Sequence, residues 1–204
     1  MKPLQISSWS KITNHGMWHN GELLISFSES ENAHERLKSA YTKLGFAYPK
    51  FFKMDGLCKL ALLGSETLLT PELKSKYADD EIAILLSNSH SSLQSDSEHY
   101  QKFSNGTASP AIFVYTLPNI AIGEICIRHK LLGESNFYIF ESFAPEALLE
   151  QAQLLINTTA TRACLTGWVE FYKDTFEAVF FLLENQDGEP ASTKLMHTIK
   201  DTTN

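Results

Sequence analysis

Short unbroken apolar runs alternate along the chain with longer stretches in which apolar residues recur at helical spacing. That rhythm sets the expected elements. Residues 4–12 alternate loosely and read as a first strand, 14–21 are rich in Asn, Gly and His and read as a loop, and 29–44 read as a polar surface helix. From 54 to 69 the pattern is clearly helical. Leu57, Leu60, Ala61 and Leu68, with small Gly64 and Ser65, suit a helix packed closely on a sheet, and Pro71 marks its end. Ile82-Ala83-Ile84-Leu85-Leu86 is flanked by acids and then by Ser87, Asn88 and Ser89. A strand buried on both faces, as in parallel sheets, is written this way. The polar segment 87–106 reads as a solvated connection with a weak helix.

Ser109-Pro110 opens an apolar segment that Pro118 interrupts, and Asn119, Gly123, Ile125 and Ile127 suggest a second close-packed helix after the break. Gly123 and Gly167 are expected at close helix–strand or strand–turn approaches. Residues 136–140 read as a strand, 147–156 as a helix, 163–167 and 176–183 as two further strands, and Asn185-Gln186-Asp187-Gly188 as a turn. The tail from Glu189 is polar and expected to fray, which divides the chain into a domain of 1–188 and a tail of 189–204. The order βαβαβαββ predicts an α/β domain with a largely parallel sheet and one antiparallel strand.

Composition narrows the function classes. With 204 residues, 43% of them hydrophobic, the chain supports one sizeable core. A net charge of -7 without any basic cluster excludes the phosphate contacts that nucleic-acid binding needs. Polar Ser7 and Ser8 follow soon after Met1, so no signal-peptide hydrophobic region is expected, and no run approaches the roughly 20 residues of a membrane span. Cys58, Cys126 and Cys164 lie far apart in apolar stretches and read as buried free thiols of a reducing cytoplasm. His15 and His19 stand four apart, but Gly16 and Gly21 argue against a helix and no suitable carboxylate lies between them. No metal and no cofactor are expected.

Several segments, in order, resemble the β-ketoacyl synthases of fatty-acid and polyketide synthesis, condensing enzymes of the thiolase fold. Lys50-Phe51-Phe52-Lys53-Met54-Asp55 followed by Leu60-Ala61 resembles the family's lysine-phenylalanine-x-arginine-methionine-aspartate entry to a long helix. Ser109-Pro110, Pro118-Asn119 and Gly123-Glu124-Ile125 resemble its serine-proline…asparagine-x-x-x-glycine segment. Leu131-Leu132-Gly133 resembles its leucine-x-glycine-proline turn, Gly167-Trp168-Val169-Glu170 its glycine-glycine-alanine-glutamate, and 176–184 its closing strand. The resemblance covers most of residues 1–185. It implies a thiolase-like amino-terminal half-domain with a mixed five-stranded sheet and helices on both faces.

In that family an acyl-accepting cysteine follows the strand after the leucine-x-glycine turn, at a helix start that favours thiolate. The count from Gly133 puts Ser142 there, between bulky Glu141 and Phe143. The family's condensation histidines come from its carboxy-terminal half, beyond the resemblance. The implied protein is therefore non-catalytic and works by association, like a chain-length factor, in fatty-acid or polyketide (aryl-polyene-type) synthesis. Its partner would be a full-length ketosynthase or a second copy, with an acyl carrier protein as a further candidate. Its interface would use Tyr138 and Phe140 of the strand that pairs across the family's dimer and Leu149 of the following helix. The rival is an acyl-transfer or thioesterase-like enzyme using Ser142, with His90 or His129 as base. A glycine-x-serine-x-glycine elbow is absent, and the structural alternative is that Ser142 caps the helix opening near Ala144.

Overall fold

The computed structural model describes residues 4–185 and 188–202. Strand β4 (Ile82–Asn88) is buried at every position, as an unbroken apolar run requires when both faces are covered. It pairs in parallel with β5 (Ser135–Ile139) on one side and β6 (Ala163–Tyr172) on the other. β6 turns straight into antiparallel β7 (Thr175–Glu184), and β7 pairs antiparallel with β1 (Gln5–Thr13). Four strands of this frame run one way and β7 the other, as the βαβαβαββ reading predicts. The turn expected at 185–188 falls partly outside the described residues.

The sheet is larger than the five strands expected. β2 (Gly16–His19), β3 (Glu22–Ser26) and β8 (Glu189–Pro190) extend it to eight, in the order β3-β2-β1-β7-β6-β4-β5, with β8 against the start of β1. Residues 14–21, read as one loop, are instead a short strand between two tight turns, with Met17 and Trp18 buried. The second turn holds Asn20 and Gly21 at positive φ, the conformation that matches strand twist in a hairpin. Turn residues at both ends of a four-residue strand hid the strand. β3 is an end strand that opens on Glu22 and carries a register shift opposite Met17 and Trp18.

Helices cover both faces. On one face α1 (Ala33–Leu44), α2 (Gly56–Glu66) and α6 (Ile120–His129) enclose the larger core, with Ile84 and Leu86 of β4. Asp55 caps α2 by accepting the Cys58 N–H, and every residue of 56–65 is buried. Gly64 is small of necessity, because a Cβ there would fall 2.2 Å from the Phe180 ring. Pro71 does close this segment, but it also opens α3 (Pro71–Lys76), capped by Thr70. α4 (Leu93–Ser104) and α5 (Pro110–Phe113) follow in the β4–β5 connection. Among the described residues no single helix is long and apolar enough to cross a bilayer.

The opposite face carries α7 (Pro145–Thr158) and α8 (Thr193–Asp201) over Ala83, Leu85, Phe181 and Leu183. The tail read as fraying therefore folds back. Its few apolar residues recur at helical spacing, and Met196 and Ile199 are buried on the second core. Ser192 caps the start of α8, and the buried Lys11 ammonium donates to the carbonyls of Ile199, Lys200 and Thr202 at its end. Most of the outward surface of α7 is polar, and Leu154 is its exposed large apolar residue.

Candidate functional site

Ser142, counted from Gly133 to the place of the family cysteine, lies in the turn between β5 and α7. Phe140 ends the strand and donates its N–H to Asn88 O at 2.9 Å. Glu141 and Ser142 are exposed, and Phe143 turns inward, 6% exposed. Its ring stacks on Phe181 at 6.3 Å, lies edge-on to Trp168, and meets His197 of α8 at 5.5 Å. A large aromatic thus fills the ground beneath the turn. The expected capping role of Ser142 is not seen: the cap position of α7 is Ala144, with no side-chain cap. Pro145 opens the helix, and its fixed φ and missing N–H make a side-chain cap less necessary. Among the described residues the Ser142 hydroxyl makes no hydrogen bond.

Neither histidine proposed as its base is free for that task. His129 is buried at the end of α6, under the opposite face, with Nε2 3.2 Å from Glu66 Oε2. Arg128 grips the same carboxylate at 2.6 Å and 3.3 Å. His90 follows β4, lies 3.2 Å from Glu170, accepts or donates to Ser89 Oγ, and stacks flat on Tyr172. The thiols offer no replacement nucleophile. Burial raises the pKa of Cys58 and Cys164 strongly and that of Cys126 also, which disfavours thiolate.

The motif residues serve the fold. Besides capping α2, Asp55 accepts the Ser95 hydroxyl at 2.7 Å, tying α2 to α4. Glu170, from Gly167-Trp168-Val169-Glu170, accepts the N–H and hydroxyl of Ser89 and fixes the turn after β4. Gly167 sits at the expected close approach: a Cβ would lie 2.2 Å from Val179 O. Gly123 does not, since no atom lies within 4 Å of a Cβ built there. Its segment is helical as read, but it is half-buried rather than pressed on the sheet. Next to it Glu124 is buried and paired with Lys50 at 2.7 Å. An acid inside Ile120-Ala121-Ile122-Gly123-Glu124-Ile125 was a legible sign of a buried ion pair that pattern reading passed over. His19, once considered with His15 for a metal, lies 3.4 Å from Ser8 Oγ and 3.2 Å from Asn20 Nδ2.

The interface candidates fall on two elements. Among the described residues β5 is an end strand, paired with β4 alone. Ile84 N–H donates to Glu134 O, and Phe140 N–H to Asn88 O, so even-numbered residues turn their backbone groups toward β4. Ser135, Phe137 and Ile139 therefore turn theirs outward. Tyr138 and Phe140 stack side by side at 5.6 Å, half-buried on the second core. Ile139, Leu132 and Ile127 are 50%, 79% and 61% exposed. Leu149 is half-buried against the second core.

No family model and no curated protein matches the sequence. Solved structures do match. The ishigamide ketosynthase/chain length factor aligns with a TM-score of 0.64 at 18% identity, over 89% of this chain and 62% of that one. A ketosynthase (ApeO) in complex with its chain length factor (ApeC) from Xenorhabdus doucetiae aligns at 0.58 and 20%, over 91% and 80%. A β-ketoacyl synthase from Burkholderia phymatum aligns at 0.57 and 12%, over 90% and 59%. This chain spans less than two thirds of the first and third of these. At such identities the likeness shows the fold: a thiolase-like ketosynthase fold, as the sequence motifs indicated.

Proposed function

We propose that this chain, with a ketosynthase fold and a serine at the acyl-accepting position, is a non-catalytic partner of an active ketosynthase in the cytoplasm. It would act as a chain length factor does, in polyketide synthesis of the aryl-polyene type or in fatty-acid synthesis. The observation that carries this reading is β5, an end strand with outward backbone groups at Ser135, Phe137 and Ile139 beside exposed Ile127 and Leu132. Such an edge is a template for a strand of another chain. An antiparallel neighbour centred on Phe137 would satisfy these groups and cover Ile139. Two of the similar structures support the reading, since they hold a ketosynthase with a chain length factor. The aligned fractions in the second imply a matched chain only modestly longer than this one.

The serine-enzyme alternative is the weaker one, because Ser142 lacks a base and Phe143 fills the space behind it. The test is co-expression with a full-length ketosynthase that keeps its cysteine and histidines, followed by light scattering. A one-to-one complex that Tyr138→Lys and Ile139→Pro each dissolve is expected. A chain that stays monomeric with every such ketosynthase, or turns over acyl thioesters alone in a Ser142-dependent way, would overturn the proposal.

A further inference from the structure

Trp18 is a deeply set donor that the fold leaves unpaired. It stands opposite Lys11 where β1 and β2 pair, so both side chains lie on the face that carries α8. Trp18 is 6% exposed, yet among the described residues its indole N–H meets no acceptor. That nitrogen is not one of the polar atoms sealed from solvent without a partner, so it opens to the surface. Trp18 lines two clefts there, which meet at His15 and Trp18 itself. One is a wide bay beside the β2–β3 turn. The other is a cavity of about 280 Å³ between the sheet and the end of α8.

More of the cavity wall is apolar than polar, and charges of both signs stand in it. The Lys200 ammonium lies 2.9 Å from Glu177 and 3.9 Å from Asp201. The Lys11 ammonium is spent on the carbonyls of Ile199, Lys200 and Thr202. Asp201 is 70% exposed, and its carboxylate has room for a second cation. An apolar hollow with a few converging polar groups, one of them a free donor on a nearly buried ring, is the composition of a small-ligand site. A plain anion entering it would meet Glu177 and Asp201, and a plain cation would meet Lys11 and Lys200. A molecule that carries both charges close together avoids both repulsions.

We propose that this cavity is a binding site for a free α-amino acid with an apolar side chain. Its carboxylate accepts the Trp18 indole N–H, with His15 beside it, and its ammonium donates to Asp201. Its side chain takes the apolar hollow against the Trp18 ring. The bound molecule joins β2 to the end of α8, the end of the helix that Lys11 already holds. The proposal does not rest on a ketosynthase partner.

The test uses the full chain with L-leucine and L-phenylalanine at millimolar concentration, read by thermal melting, hydrogen exchange and titration calorimetry. The N-acetyl and amide derivatives of each, which lack one of the two charges, are the controls. At least one of the amino acids should raise the melting temperature and slow exchange across 193–201, and its derivatives should do neither. Trp18→Phe keeps an aromatic ring and removes the N–H, and it should weaken binding several-fold. Asp201→Asn, at an exposed position, should weaken it as well. No response to either amino acid, an equal response to a derivative, or undiminished affinity in both variants would overturn the proposal.

Discussion

Replacing Lys11 by methionine tests whether α8 is an integral part of the fold. The side chain is 6% exposed and its ammonium donates to the carbonyls of Ile199, Lys200 and Thr202, the last at 2.7 Å. Methionine preserves most of the apolar stem and removes the donors. A hydrogen bond from a charged donor contributes about 1.5–3 kcal/mol. Two effects hold the loss near the lower end of a single such bond. Burial already disfavours the charged form of Lys11, and carbonyls at a helix end recover water when the helix lifts. A loss of about 2 kcal/mol corresponds to roughly 4–8 °C for a chain of this size. Because the lost bonds all lie at one helix, the damage should be local first. Hydrogen exchange should show the amides of 193–201 losing protection while β4 and β7 keep theirs. Unchanged melting and unchanged exchange in α8 would refute the idea that this lysine holds the helix.

Three further outcomes are expected. Gly167→Val should destabilise by at least the roughly 1–3 kcal/mol of overpacking, since its Cβ meets backbone, whereas Gly123→Ala should stabilise by about 0.5–1 kcal/mol; thermal melts that rank them otherwise would contradict both placements. Condensation assays with acyl and malonyl thioesters should find no product from the purified chain, nor from Ser142→Cys. Desolvation pushes the Glu184 carboxyl up, but bonds from Lys76, Ser7 and Tyr77 win and hold its pKa below the ordinary 4.5. Its contribution is present above pH 4.5 and lost as pH falls through the depressed folded value, so acid melts of Glu184→Gln should show a shallower loss below 4.5.

Elements covered on both faces were the most legible. β4 and α2 are buried along nearly their whole length, and burial of that kind leaves few residue choices. The meander β2–β3 was not read, because Asn14, His15, Asn20 and Gly21 make turns so close together that the four-residue strand between them is too short to display its alternation. α8 was missed because only Met196 and Ile199 are deeply buried, and its hold on the body comes from Lys11, far away in sequence. Ser142 was placed correctly in the turn before a helix, yet its capping role failed because Ala144 and Pro145 sit nearer the helix start.

The two ends of the eight-stranded sheet are finished differently. At β3 a register shift and an acidic first residue interrupt and charge the margin, while at β5 the register is unbroken and flanked by aromatic and aliphatic side chains. A body with two receptive margins can grow without limit into a ribbon. One receptive margin is used up by the first neighbour. If β5 is the margin that takes the proposed partner, the arithmetic of such a sheet ends at two.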